Sequence, residues 1–170
     1  MLTNSLEILL ADRIWIAVAL LHRELPNRED FSKDEIRRKL QETDLATGTK
    51  PGSVSAHLKE HLIANVHTTS TKYIMMYETR PGFLRLFRPG DFVDQCRQSR
   101  PAKQVPRKEQ LPLEYQSLLD WYETWSKQHP SPEKPNWQDD PLIRLIGSGH
   151  HIWADEHADE YVENLRREEA

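Results

Sequence analysis

The sequence predicts a mainly α fold with a small β-hairpin. Three helices and the hairpin come first, and an extra helix and an extended acidic tail follow. Three observations carry this. Apolar residues recur at helical spacing in successive blocks between Leu6 and Leu62. Two aromatic-containing apolar runs split by Pro81 and Gly82 come next. Charge then divides the chain. Lys50 to Lys108 holds eleven Lys/Arg against four Asp/Glu, whereas Trp137 to the end holds nine Asp/Glu against three Lys/Arg. Such an asymmetry suggests two functions on one chain.

At 170 residues and 37% hydrophobic content, there is room for one domain with appendages. The eleven prolines fall mostly from Pro81 onward, which places the expected core in the first half. The expected organisation is a domain over 1–95, a basic Pro-rich linker over 96–110, an amphipathic helix over 111–128, a flexible spacer over 129–141 and an acidic partner-binding tail over 142–170. Cys96 is the only cysteine, so an intramolecular disulfide and a cysteine-rich zinc site are both excluded. A bacterial, cytoplasmic, nucleoid-associated protein is expected. Ile14 to Leu21 is apolar but too short to span a bilayer, and no secretory pattern is present.

Leu6 to Arg23 reads as the first helix, with Ile8, Leu9, Ile14, Trp15, Val18 and Leu21 forming a broad apolar stripe. A second helix starts after Ser32, where Glu35 three residues on completes a capping box; Ile36 and Leu40 form its inner face. The third opens at Pro51 or Ser53. Its Val54, Leu58 and Leu62 face inward, leaving Ser53, Ala56, Lys59 and Glu60 outward. Lys72 to Glu78 and the run from Phe83 pair as the hairpin across Pro81-Gly82. Helix, helix, helix, hairpin is the order of a winged helix-turn-helix. Leu111 to Lys127, with Pro112 near its start, is the extra helix, striped by Tyr115, Leu118, Leu119, Tyr122 and Trp125. In the tail, Asp155 can cap a short helix over Glu156 to Arg167.

Three groups of residues are candidates for function. A winged helix lays its third helix in the DNA major groove and its wing along the backbone. Lys50, Ser53, Ser55 and Lys59 are the expected groove contacts. Arg80, Arg85, Arg88 and the linker cations Arg97, Arg100, Lys103, Arg107 and Lys108 are expected to neutralise phosphates. The partner is then double-stranded DNA. Glu60 on the outer face would repel phosphate. Second, His57-Leu-Lys-Glu60-His61 matches the pattern of inverted zinc peptidases. A third helix whose core is Val54, Leu58 and Leu62 explains the same residues without a metal, so no enzyme, metal or cofactor is expected. Third, Ile146, Ile152, Trp153, Tyr161, Leu165 and Arg166 place apolar anchors and a cation in an acidic field, as a segment that folds onto a partner does.

Phe31-Ser-Lys-Asp-Glu-Ile, Lys50-Pro-Gly-Ser-Val-Ser-Ala-His-Leu and the hairpin ending Leu86-Phe-Arg-Pro-Gly-Asp resemble the HARE-HTH type of winged helix, over about half of the chain. That resemblance implies DNA binding. Gly147-Ser-Gly149, Ile152-Trp153-Ala-Asp-Glu, and Asp159-Glu-Tyr-Val followed by Leu165-Arg-Arg resemble the toxin-neutralising segment of VapB-type antitoxins. This second resemblance implies a strap around a PIN-domain ribonuclease toxin, with Trp153 and Ile152 in the toxin groove and Arg166 or Arg167 near its acidic pocket. Such antitoxins usually carry a swapped-hairpin or ribbon-helix-helix domain, and position 150, often basic there, is His150. The alternative expectation is a winged-helix transcriptional or defence-associated DNA-binding factor whose tail makes a homodimer.

Overall fold

A computed structural model describes residues 8–69, 72–98 and 101–131, which belong to the unit Met1–Ser131. The chain is about half helical with a small three-stranded antiparallel sheet. In order come α1 (Leu10–Glu24), β1 (Phe31–Ser32), α2 (Lys33–Glu42), α3 (Pro51–Ala56, continued by a π turn over His57–His61), β2 (Met76–Arg80), β3 (Phe83–Leu86), α4 (Gln95–Gln98) and α5 (Leu113–Gln128). A 3-10 turn at Lys108–Gln110 precedes α5.

Helix α1 lies at the centre. Ala11, Asp12 and every residue from Ile14 to His22 are buried, so the helix is covered on nearly all sides. A helix that is apolar all round needs neighbours all round. They are α2, α5 and β3. The expected capping box forms at α2. The Glu35 amide donates to Ser32 Oγ at 3.2 Å, and Glu35 Oε2 accepts the Ser32 amide at 2.9 Å. Glu35 also accepts from Arg28 at 2.5 Å, and that hydrogen bond is the main reason its carboxyl is pulled down to about 2.

The hairpin forms with Met76 opposite Leu86 and Glu78 opposite Leu84, and its register shifts between Glu78 and Arg80. Pro81 and Gly82 make the turn. Gly82 adopts φ +84°, a conformation that costs glycine nothing and a larger residue much more. Strand β1 adds a third strand by pairing Phe31 with Leu84, giving the order β1-β3-β2. The expected first run began at Lys72, but the strand starts at Met76; Tyr73 instead bridges to Lys103 in parallel.

The stretch expected as a linker is integral to the fold. Arg97 is 1% exposed. Lys103 Nζ donates to both oxygens of the fully buried Asp12, at 2.7 and 2.8 Å, and to Gln110 Oε1 at 2.9 Å. A buried carboxylate requires such a partner. The expected boundary at residue 95 is therefore corrected: the chain packs on through α5. There Trp15 meets Tyr122 edge-on at 5.6 Å, and His22 lies 4.7 Å from Trp125. Among the described residues, no helix is long and apolar enough to cross a membrane.

Candidate nucleic-acid interface

Helix α3 starts at Pro51, whose fixed φ suits a first helical position, with Lys50 extended before it. Val54, Leu58 and Leu62 are buried, as their spacing predicts. Outward, Lys50, Ala56 and Lys59 are exposed, and Ser53 and Ser55 are half-buried. The helix then widens into the π turn, closed by the Leu62 amide donating to His57 O at 3.2 Å. The carbonyls at this widened end need other donors, and the buried Arg97 guanidinium supplies them. It donates to Glu60 O, to His61 O at 3.4 Å, and beyond the turn to Tyr73 O at 2.7 Å and Val66 O at 3.2 Å.

Several polar groups on the outer surface have local contacts. Ser55 Oγ accepts from Arg37 of α2 at 3.3 Å, which ties α2 to α3. Arg13 holds the loop between them, donating to Thr47 O at 2.9 Å and Leu45 O at 3.3 Å. Lys59 Nζ lies 3.8 Å from Glu60 Oε1. An exposed pair like this is weak and leaves the lysine available to another anion. Arg80, at the hairpin turn, stacks 3.7 Å from the Phe83 ring centroid and donates to Asp30 at 3.3 Å. Burial raises the Asp30 carboxyl, but Thr79 and Arg80 outweigh it and leave the group below its ordinary value.

Arg85 and Arg88, expected as phosphate contacts, are buried. Arg85 is 1% exposed and grips Asp91 in a bidentate pair at 2.6 and 2.7 Å, while stacking over Tyr77. Arg88 is 5% exposed and lies 4.9 Å from the Trp125 ring centroid. Both are withdrawn from the surface because Asp91, after the turn at Pro89 and Gly90, folds back to accept the Arg85 guanidinium and the Arg88 amide. Of the linker cations, Arg97 and Lys103 are likewise engaged, Arg107 and Lys108 are exposed, and Arg100 lies outside the described residues. The basic character of this half of the sequence thus overstates its basic surface.

His57 and His61 do come together, their rings stacked at 5.0 Å. His57 Nδ1 contacts Ser53 O at 2.8 Å, and burial is the main cause that lowers its pKa. Among the described residues, no third ligating side chain completes a metal set with them. Sequence reasoning missed Arg37, whose place beside Ser55 follows from the packing of α2 on α3; its only advance signal was the Arg37-Arg38 pair. The tail residues Ile146, Ile152, Trp153, Tyr161, Leu165 and Arg166, and all of the spacer after Ser131, lie outside the described residues. The chain matches no protein-family model, no curated protein and no solved structure.

Proposed function

We propose that the folded unit binds double-stranded DNA as a winged helix-turn-helix domain, with α3 entering the major groove and the β2–β3 turn following the backbone. The observation that carries this reading is the element order α1-β1-α2-α3-β2-β3 with sheet order β1-β3-β2. Within it α3 buries one face and presents Lys50, Ala56 and Lys59 on the other. The contact set is Lys50, Ser53, Ser55, Lys59 and Arg80, with Arg37 added; Arg85 and Arg88 serve the core instead. Small outward residues such as Gly52 and Ala56 favour close approach to the phosphate backbone over dense base readout.

Salt dependence tests the proposal. Each phosphate neutralised releases counterions, so four contacts by Lys50, Lys59, Arg80 and Arg37 give a slope of log K against log salt of roughly −3.6. Lys50→Ala and Lys59→Ala should each reduce that slope by about 1. A flat response, or no binding to a random duplex at low salt, would defeat it.

The acidic tail is proposed as a tethered ligand for a second protein, a PIN-type ribonuclease, on the strength of its apolar anchors and its resemblance to antitoxin segments. Its charge disfavours contact with DNA held by the same chain. In a pull-down with the full chain as bait, Trp153→Ala should release the captured nuclease. Failure of the unsubstituted chain to retain any nuclease removes this half of the proposal and leaves the DNA half standing.

A further inference from the structure

His67, Asp94 and Cys96 are not used by the interface described above. Their ligating atoms all lie within 4.8 Å of one another, and among the described residues they are the one such group of three. His67 Nδ1 lies 3.2 Å from Asp94 Oδ1, and the Cys96 amide donates to the same oxygen at 3.0 Å. We propose that these three side chains form a binding site for one borderline-soft divalent cation, Zn2+ by preference, with a fourth position open to water or an added ligand.

The donor set gives the class of metal. Imidazole nitrogen, carboxylate oxygen and thiolate sulfur together suit zinc and its neighbours, whereas calcium and magnesium take oxygen. Bond lengths of 2.0 to 2.3 Å imply ligand-to-ligand edges of about 3.3–3.7 Å around a tetrahedral ion. The His67–Asp94 separation already matches such an edge. Metal binding removes the thiol proton of Cys96, which passes to solvent. Three protein donors with an exposed histidine describe an open site, unlike a closed structural one.

The two segments are held in register by contacts that owe nothing to a metal. The Asp94 amide donates to Ala64 O at 2.9 Å, and the Arg97 guanidinium donates to Val66 O at 3.2 Å. These bonds fix the loop bearing His67 against the turn bearing Asp94 and Cys96. The Thr68 amide donates to Cys96 Sγ at 3.4 Å, a contact that orients the sulfur. Without an ion, the His67–Asp94 pair has little to contribute, since the His67 side chain is 82% exposed. A cation bound there clamps the segment after β3 to the loop after α3 and stabilises the folded chain by mass action.

Co2+ titration of the full chain is the test. Cys96 is the only cysteine, so a thiolate-to-cobalt charge-transfer band reports this site alone, whatever the other histidines bind. One equivalent of Co2+ should develop the band and Zn2+ should abolish it by displacement. His67→Ala and Asp94→Asn should each weaken Co2+ binding by more than about a hundredfold, beyond the roughly 10–100-fold that loss of an outer-shell contact costs. His61→Ala should leave the titration unchanged. His67→Ala is decisive, because so exposed a side chain can be removed without disturbing the fold. No band in the unsubstituted chain, or a band with the same midpoint in His67→Ala, overturns the proposal.

Discussion

Arg85 sits between Leu84 and Leu86 on β3, and the alternation of a half-buried strand places it opposite their face, towards solvent. In the structure both faces of β3 are covered. Leu84 and Leu86 are buried, and so is Arg85 beneath Tyr77 and Asp91. Burial pushes the Asp91 carboxyl up, but hydrogen bonds from Arg85, Ser131 and the Arg88 amide outweigh it and hold the group below its ordinary value. Nearby, burial together with Arg88 and Arg85 lowers His22 to about 3, so its neutral Nε2 can accept from the Leu86 amide at 3.4 Å. Asp91→Asn should cost about 3–5 kcal/mol, because it leaves Arg85 buried without a counter-charge. Replacing Arg85 and Asp91 together by leucine should cost less than Asp91→Asn alone. The sign of the pH effect follows from the lowered carboxyl. The pair's stabilisation is present above the ordinary Asp range and is lost as pH falls through the folded-state value. Urea unfolding should therefore show a larger acid-side loss in the wild type than in Asp91→Asn, which keeps only the share from other lowered carboxyls such as Glu35 and Asp30. Equal stability of the two proteins at neutral pH would refute the account.

At the scale of elements, what was legible in the sequence was local. The Ser32–Glu35 box, Pro51 as a helix start, the Pro81-Gly82 turn and the inner face of Val54, Leu58 and Leu62 all follow from neighbours within a few residues. The structure places each as expected. What was not legible depends on distant partners. Phe31 and Ser32 form a strand only because β3 is there to pair with them. The widened end of α3 is satisfied by Arg97, 37 residues on from the Glu60 carbonyl it binds. His67 and Asp94 are 27 residues apart, and neither belongs to a spacing that advertises a metal. In the candidate interface, Lys50 and Lys59 were readable as outward from helical periodicity. Arg85 and Arg88 were not readable as inward, because their burial depends on a chain reversal that returns Asp91 beneath them.

For the molecule as a whole, the misread boundary matters most. Prolines and cations between Cys96 and Gln110 have the composition of a solvated linker, yet Lys103 neutralises Asp12 at the centre of the fold. The hydrophobic cluster that includes Trp15 and Ile16 also includes Leu118, Tyr122 and Trp125 of α5. The Tyr122 hydroxyl donates to Phe87 O at 2.5 Å, tying α5 to the segment after β3. A chain ending at Gln95 would lose all of these contacts. It would leave Asp12 buried and unpaired, and would open the α5-facing side of α1 to water. Each loss is comparable to a large fraction of a small domain's net stability. A fragment of residues 1–95 should therefore lack a cooperative urea transition and a native near-ultraviolet circular dichroism signal. Residues 1–131 should show both, with a steep transition, because the denaturant slope scales with the surface exposed on unfolding. A cooperative transition in the shorter fragment, with native-like aromatic signals, would restore the smaller domain and reduce α5 to an accessory. Its failure alongside a folded 1–131 unit would mean that the proposed DNA binding must be measured with α5 in place, since α3 is held by a core that α5 completes.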